Sequence, residues 1–264
     1  MSERIEVNIR DHVAEVALNR PDKHNAVDRG MFDAFGTVGA MLAKDSSLRA
    51  VVLRGNGSNF CAGIDVSTFT GGAIDPGLMA PAEDSPANYF QRAAYVWREM
   101  PVPVISALHG VVFGAGLQIA LGTDVRIAAP DTQLSIMEIK WGIIPDMASM
   151  TSLPALVSYD KAAELTWTGR IISGEEAADI GLVTSLAEDP VARARELAGH
   201  IAARSPDAVR AAKKLYRDAY ADRDANLLRR EAELQMAVMA GSNQAEAVTA
   251  NVQKRAPEFA DSTI

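Results

Sequence analysis

Cysteine is nearly absent from this chain, which has a single cysteine, Cys61, among 264 residues. One cysteine excludes an intramolecular disulfide. No matched base is evident for Cys61 in the sequence, so we interpret it as a packing residue rather than a nucleophile. Histidine is also scarce. The four histidines are scattered along the sequence and show no metal-ligand spacing. We therefore predict no metal site.

Positive charge is in deficit, with 26 Lys and Arg against 34 Asp and Glu and a formal net charge of −8. A general nucleic-acid binder needs a dense positive surface, so we expect no nucleic-acid partner, although local basic residues could still hold a small phosphorylated ligand. No apolar run approaches the roughly 20 residues that span a bilayer. The N-terminal residues also lack the apolar core of a signal peptide. We expect a cytoplasmic protein with no membrane partner.

Apolar periodicity predicts an α/β protein. Alternating residues over 5–18 predict a hairpin, and Asp28 is placed to cap a helix that carries Phe32 and Phe35 on one face. Ser173 is placed to start a second, shorter helix. Further short buried strands are predicted at residues 50–53, 102–107, 125–128 and 133–136.

Helical periodicity dominates the chain after Asp146, and a helix is predicted to begin at Asp189. We therefore predict a core domain over residues 1–188 and a C-terminal helical region over 189–264. The segment from Thr70 to Pro86 is rich in Gly, Pro and Ala and predicts a loop that borders a pocket. The tail from Ala256 is expected to be disordered.

The stretch from Ile105 to Met150 carries the strongest functional pattern. Gly114, Ala115 and Gly116 lie where a strand turns into a helix, and small residues there let a ligand approach the backbone. The first amides of such a helix point outward and suit an oxyanion. Glu138 and Asp146 follow in a loop with few other charges. This combination is what proton abstraction beside a carbonyl requires, although a tight helix–strand crossing with two solvated acids would give the same pattern.

Two other segments allow both a structural and a functional interpretation. The run from Phe60 to Asp65 is either a plain turn or a second backbone segment laid against a ligand. The basic residues Lys213, Lys214 and Arg217 are either a solvated helix face or a clamp for ligand phosphates.

Five motifs occur in an order and at separations that are typical of one family. The chain resembles the crotonase superfamily, that is, the enoyl-CoA hydratase/isomerase family, over residues 3 to 255. The motifs are Arg20-Pro21 with Asn25-Ala26, the Phe60–Asp65 segment, His109-Gly110 with Gly114-Ala115-Gly116, the Glu138-to-Asp146 loop, and Thr168-Gly169-Arg170 with Ala177 and Gly181-Leu182-Val183.

The resemblance implies a fold, a ligand and an assembly. The fold would be the ClpP/crotonase-like spiral of ββα repeats with a C-terminal α-helical trimerisation region. The substrate would be an acyl-CoA thioester, and no separate cofactor is expected because coenzyme A is carried as part of the substrate. The expected assembly is a homotrimer or homohexamer, and long apolar faces on the last helices agree with an interface there.

The resemblance also assigns site residues. Two backbone amides, those of Ile64 and Ala115, would form the oxyanion hole for the thioester oxygen. A fixed pair of donors stabilises the charge of a thioester enolate without reorganising. The positions that would contact CoA are Lys23, Asn25, Ala26, Ala62, Gly63 and Asp65, with Lys23 near the nucleotide phosphates.

The chain departs from the family at one catalytic position. Hydratases of the family use two glutamates, which fall here on Gln118 and Glu138. An amide cannot exchange a proton as a carboxylate does, so Gln118 weakens the hydratase interpretation. The dienoyl-CoA isomerases of the family carry an acid at the first position, Glu at the second and Asp eight residues later. Glu138 and Asp146 match the last two.

Three functions follow from this pattern. The leading one is double-bond isomerisation of an enoyl- or dienoyl-CoA, with Glu138 as the proton shuttle and Asp146 assisting. The second is hydration of a trans-2-enoyl-CoA, with Gln118 positioning the water. The third is an acyl-CoA-binding protein without turnover. Other thioester-enolate chemistry, such as decarboxylation or C–C cleavage, stays open beside these three.

Overall fold

The computed structural model of the chain describes residues 3–66 and 75–260. The predicted loop from Thr70 to Pro86 therefore lies partly outside the described residues. Its described part contains a 3₁₀ turn, Pro76–Met79, and a single bridge between Ala82 and Ser85.

Nine strands and ten α-helices occur in the described residues. The strands are β1 Ile5–Arg10, β2 Val13–Leu18, β3 Ala50–Gly55, β4 Val104–Leu108, β5 Val111–Phe113, β6 Val125–Ala128, β7 Gln133–Ser135, β8 Ile172–Ser173 and β9 Ser185–Leu186. The helices are α1 Arg29–Ala43, α2 Arg92–Glu99, α3 Ala115–Leu121, α4 Leu153–Leu156, α5 Tyr159–Thr168, α6 Gly174–Asp179, α7 Pro190–Ala202, α8 Pro206–Asp218, α9 Ala221–Met239 and α10 Ser242–Gln253.

From β4 to β7, successive strands alternate between two sheets, as in the predicted spiral of ββα repeats. The larger sheet has the order β1-β2-β3-β4-β6-β9, with only β1 and β2 antiparallel. The smaller sheet has the order β5-β7-β8. Thus β4 lies in the large sheet and the next strand, β5, in the small one, and β6 and β7 repeat this step. The short β5-to-α3 turn therefore sits at the edge of the small sheet.

Local sequence signals place the helices as predicted. The Asp28 side chain accepts a hydrogen bond from the Met31 amide at 2.9 Å and starts α1. The Ser173 hydroxyl accepts one from the Glu176 amide at 3.1 Å and starts α6. Such caps satisfy amides that have no partner within the helix.

Apolar side chains fill both faces of the large sheet. One cluster joins α1 and α2 to the sheet, and Phe35 meets Trp97 edge to face at 6.1 Å. The second cluster lies on the opposite face, where Ala194 and Ala198 of α7 pack on β3, β4 and β6. Helix α7 thus covers the core sheet although it belongs to the predicted C-terminal region. The boundary between residues 188 and 189 stays a prediction.

Lys213 fits neither interpretation of the basic cluster on α8, whereas Lys214 fits the solvated helix face. Its ammonium is buried and donates to Asp124 Oδ2 at 2.7 Å and to the Val102 carbonyl at 2.8 Å. Burial lowers the pKa of Lys213. Lys213 therefore ties α8 to the strands, whereas its neighbour Lys214 is exposed and pairs with Asp218 on the helix surface.

The predicted disorder of the tail is wrong as far as Ala260. The Glu258 amide donates to Glu246 Oε1 at 2.7 Å. Ala260 exchanges two hydrogen bonds with the Asn243 side chain, at 2.8 and 2.9 Å. The tail is thus fixed along α10, and residues 261–264 lie outside the described part of the chain.

Candidate active site

Two backbone turns meet at the edge of the small sheet. The Cys61 amide donates to the Val111 carbonyl at 3.1 Å, and the Phe113 amide donates to the Cys61 carbonyl at 3.0 Å. Gly63 follows with φ +101°, a conformation that favours glycine. A Cβ atom on Gly63 would lie 3.0 Å from the Phe113 carbonyl oxygen and 3.9 Å from the Ala115 nitrogen. The two predicted oxyanion segments are therefore adjacent.

The amides of Ile64 and Ala115 have no acceptor within residues 3–66 and 75–260. Ile64 is nevertheless held in place, because the Val27 amide donates to the Gly63 carbonyl at 2.8 Å and the Asp65 amide to the Val27 carbonyl at 3.0 Å. Ala115 is the first residue of α3, where helical amides lack an internal partner. Both N–H groups are thus available to a ligand oxygen.

Packing explains the other small residues of the turn. A Cβ atom on Gly116 would lie 2.5 Å from the Cys61 carbonyl oxygen, so Gly116 permits contact between α3 and the Cys61 segment rather than contact with a ligand. Cys61 itself is buried, and burial raises the pKa of its thiol to about 12. This supports the interpretation of Cys61 as a packing residue.

An ion-paired arginine joins the Arg20–Ala26 loop to the Gly63 turn. Arg20 Nη1 donates to Asp65 Oδ2 at 2.6 Å and to the Ala26 carbonyl at 3.0 Å. The Asn25 side chain is fully buried and donates to the carbonyls of Asn56 and Asn59, at 2.9 and 2.8 Å. Its amide group therefore supports the loop.

Three of the six predicted CoA-binding positions are accessible to a ligand on the surface of this loop and of the neighbouring Gly63 turn. Lys23 is exposed, and Ala26 and Ala62 are half-buried. Asp65 is paired with Arg20, as described above. Contacts of Lys23, Asn25, Ala26, Ala62, Gly63 and Asp65 with CoA stay predictions.

Glu138 places a buried carboxyl group beside the oxyanion turn. It begins a 3₁₀ turn, Glu138–Trp141, and is 5% exposed. A Cβ atom on Gly114 would lie 3.1 Å from Glu138 Oε1, so the absence of a side chain at residue 114 leaves room next to the Ala115 amide. Burial raises the pKa of Glu138 to about 7. A carboxyl group with this pKa can both accept and return a proton near neutral pH.

Gln118 links Glu138 to the loop that carries Asp146. Its Nε2 donates to Glu138 Oε1 at 2.7 Å, and its Oε1 accepts from the Met147 amide at 2.7 Å. Within the described chain, Glu138 Oε2 has no hydrogen-bond partner. Gln118 therefore fixes Oε1 and leaves Oε2 without a partner in that part of the chain.

Asp146 is the second buried acid of the site, 8% exposed. Burial raises its pKa well above the usual range, and the negative charges of Glu231 and Glu138 raise it further. The structure thus brings together the three predicted catalytic side chains, those of Gln118, Glu138 and Asp146. It gives the two acids different environments, because only Glu138 receives a hydrogen bond from Gln118.

Glu231 of α9 is a site neighbour that the sequence analysis missed. Its carboxylate accepts the amides of Ala148 and Met150, each at 2.9 Å. A signal was present: Glu231 is three residues after Leu228 and four before Gln235, and all three lie on one buried helix face. The sequence analysis assigned this apolar face to an interface, whereas Leu228 is fully buried within the chain.

Comparison with known proteins agrees with this geometry. The family described as Enoyl-CoA hydratase/isomerase matches residues 8–262. The chain belongs to the enoyl-CoA hydratase/isomerase family. An enoyl-CoA hydratase/isomerase from Pseudoalteromonas atlantica T6c has a crystal structure that superposes with a TM-score of 0.87 at 28% identity, covering 97% of this chain and 100% of that chain. The predicted crotonase fold is therefore confirmed, and the protein is an enzyme of the enoyl-CoA hydratase/isomerase family.

Relatives in this family carry both of the activities weighed above. The enoyl-CoA hydratase EchA19 of Mycobacterium tuberculosis is 29% identical over 259 residues, which cover 96% of this chain and 95% of that protein. The mitochondrial Delta(3,5)-Delta(2,4)-dienoyl-CoA isomerase of Mus musculus is 32% identical over 216 residues, covering 76% of this chain and 64% of that protein. Family membership alone does not choose between hydration and isomerisation.

The described residues of this enoyl-CoA hydratase/isomerase were also searched for membrane-spanning helices and for clusters of metal-ligating side chains. None of the helices in those residues combines the length and apolarity that crossing a membrane requires. In the same part of the chain, His, Cys, Asp and Glu side chains form no group of three placed to hold a metal ion.

Proposed function

We propose that this enzyme moves the double bond of an enoyl- or dienoyl-CoA, with Glu138 as the proton shuttle and Asp146 assisting. The proposal rests on the two hydrogen bonds of the Gln118 side chain. Its two polar atoms are bonded to Glu138 and to the Met147 amide, so it serves as a brace for one carboxylate rather than as a second acid or base. One mobile proton on one carboxyl group suffices for isomerisation.

The chemistry would begin with the thioester oxygen between the Ile64 and Ala115 amides. Glu138 Oε2 takes a proton from the carbon next to the thioester, and the electron pair forms a dienolate whose oxygen accepts both N–H groups. The same carboxyl group returns the proton to the far end of the dienolate, which shifts the double bond without net gain or loss of atoms. Each oxyanion donor typically lowers such a barrier by about 3–4 kcal/mol.

The environment of Glu138 supports this role. Its pKa of about 7 matches a group that must be a base in the first half of the reaction and an acid in the second. Asp146 would serve as a neutral hydrogen-bond donor, since its buried position next to two other acids favours the protonated form. Coenzyme A would enter as part of the substrate, with no separate cofactor.

Hydration of a trans-2-enoyl-CoA is the second candidate. It is favoured by relatives named as hydratases and by the buried Gln118, whose remaining N–H could hold a water. A hydratase must also move protons on and off that water, which in this site would fall to Glu138 alone.

Product analysis in isotopically labelled water tests the proposal. The enzyme is incubated with 2-enoyl-, 3-enoyl- and 3,5-dienoyl-CoA thioesters of several lengths, and products are identified by mass and NMR. We expect isomers of unchanged mass apart from exchanged hydrogen. Incorporation of labelled oxygen as the main outcome would instead establish hydration. Glu138→Gln, which keeps the size of the side chain, should abolish either reaction.

We further propose assembly as a homotrimer or homohexamer. Large apolar side chains remain on the surface of the single chain: Trp167 is 66% exposed, Ile171 49% and Met236 37%. Exposed apolar surface of this kind often marks an interface between proteins. A mass in solution of three or six chains at micromolar concentration is expected, and a monomeric mass would contradict the proposal.

A further inference from the structure

The loop that carries Asp146 is held by side chains from elsewhere. The Ile144 amide donates to Gln235 Oε1 at 3.1 Å, and the Met147 amide donates to Gln118. The amides of Ala148 and Met150 donate to Glu231. A loop without its own ladder of hydrogen bonds takes its shape from such acceptors.

Glu231 holds the most strained residue of this loop. Ala148 has φ +66°, a left-handed conformation that is unfavourable for a residue with a Cβ atom. Its amide is directed at Glu231 Oε2, 2.9 Å away, and the Met150 amide is directed at Oε1. One carboxylate therefore fixes the backbone two residues after Asp146 and again four residues after it.

In the described residues, the contacts of the Glu231 carboxylate come from uncharged donors. Its third contact is a neutral one, from Gln91 Nε2 at 3.3 Å. No Lys or Arg nitrogen of the described chain lies within ion-pair distance of its carboxylate. Nearby Asp224 is already paired with Arg98 at 2.6 Å. Three donors favour the ionised form of Glu231, while burial opposes it and raises its pKa to about 7.

We propose that Glu231 is a positioning residue of the active site: its carboxylate fixes the loop that carries Asp146, and its negative charge keeps Asp146 protonated. The charged groups that face Asp146 are Glu138 and Glu231, both acidic. Above neutral pH, where Glu231 is ionised, Asp146 would have to place a further charge beside it. The neutral form of Asp146 is then retained to higher pH. The part of this proposal that concerns turnover rests on the proposed isomerisation.

Three variants separate the effect of the negative charge of Glu231 from the effect of its side-chain length. Glu231→Gln removes the charge and one of the two acceptor oxygens, so the pKa of Asp146 should fall. The alkaline limb of the pH profile should move down by about 1 pH unit, and kcat should fall about 10-fold with little change in KM. Glu231→Asp keeps the charge but shortens the side chain, so kcat should fall while the alkaline limb stays in place. Gln235→Leu removes a neutral acceptor from the same loop, and should leave the alkaline limb unmoved.

A second measurement does not need turnover. NMR of the Asp146 side-chain carboxyl carbon, assigned with Asp146→Asn, follows its titration directly in wild type and Glu231→Gln. If no thioester is isomerised, the proposed function fails while this titration still decides the role of Glu231. Should Glu231→Gln fail to fold, both carboxyl carbons are followed in wild type, where Asp146 should ionise only at a higher pH than Glu231. Ionisation of Asp146 before Glu231 would contradict the electrostatic role.

The outcomes that would overturn the proposal are specific. An Asp146 titration that is the same with and without the Glu231 charge removes the electrostatic role. Wild-type kcat in folded Glu231→Asp removes the positioning role. A drop in melting temperature alone, with kcat and the alkaline limb unchanged in Glu231→Gln, would make Glu231 a purely structural residue.

Discussion

Gln118 donates to Glu138 Oε1 at 2.7 Å and thereby leaves only Oε2 of that carboxyl group without a partner in the described residues. Gln118 thus orients the carboxyl group through Oε1, and the proposed proton transfer falls to Oε2. It also shows what the amide contributes at this position: it can donate to a carboxylate, which a second carboxylate could do only when protonated.

Gln118→Glu should shift the enzyme toward hydration. The new carboxyl group keeps the acceptor for the Met147 amide but must share one proton with Glu138, since two like charges this close disfavour double ionisation. We expect hydration of trans-2-enoyl-CoA to increase at least about 10-fold and isomerisation to decrease. Gln118→Leu is the control, because it removes the brace without adding an acid and should lower both rates. Equal hydration by Gln118→Glu and wild type would show that residue 118 does not select the reaction.

Glu138→Gln should lose activity and gain stability above neutral pH. The pKa of Glu138 is about 7 in the folded chain and 4.5 as an ordinary glutamate, so the native state binds this proton more tightly than the unfolded state. Wild-type stability therefore falls, relative to the variant, as pH rises from about 4.5 to about 7. The difference above that window is of the order of 3 kcal/mol, and turnover should fall about 10³-fold.

Urea unfolding at about pH 8 and about pH 4 measures the stability difference, which should vanish at the lower pH. Glu99→Gln is the matched control. Burial also raises the pKa of Glu99, which bonds Ser85 away from the oxyanion turn. It should show the same direction of stability change with wild-type turnover.

Gly114→Ala should impair turnover more than folding. Gly114 has φ +51°, and its added Cβ atom would lie 3.1 Å from Glu138 Oε1. Backbone strain of about 1 kcal/mol is expected, and a displacement near 1 Å costs about a hundredfold in rate. Gly181→Ala also adds a side chain at a positive φ, +84°, but its Cβ atom would lie 2.8 Å from the Leu156 carbonyl oxygen and not beside Glu138. Equal losses of kcat in both variants would indicate strain alone.

Lys213→Met tests the correction to the basic cluster. Removing the ammonium leaves Asp124, which is 36% exposed, without the Lys213 cation but still bonded to the Val104 amide, and it takes one donor from the carbonyls of Trp97 and Val102. We expect destabilisation of about 1–3 kcal/mol with KM for the thioester unchanged. Lys214→Met, one residue along, should change neither quantity. A raised KM for the thioester in folded Lys213→Met would instead support the interpretation of this cluster as a clamp for ligand phosphates.

Local chemistry made much of this fold predictable. Alternation fixed the β1–β2 hairpin, and the short polar side chains of Asp28 and Ser173 marked helix starts that the structure confirms. The family resemblance then identified the segments containing Ile64, Ala115 and Glu138, which the structure brings to one place.

What the sequence did not predict depends on contacts between distant residues. Lys213 meets Asp124 across 89 positions, and Glu231 meets Ala148 across 83. Periodicity reports which face of a helix is buried, not what a charged residue on that face will bond. The apolar run around Leu228 illustrates this, because burial within one chain and burial between chains give the same pattern.

The dependence of the Ile144–Met150 loop on α9 has a consequence for how the protein matures. Gln235 and Glu231 accept amides that precede them by 91 and 81 positions, at Ile144 and Met150. During synthesis, the oxyanion turn and Glu138 can therefore fold well before the loop has its acceptors. Contacts of such long sequence separation form late because loop closure must come first. The enzyme should thus gain its architecture first and its catalytic competence only when α9 docks.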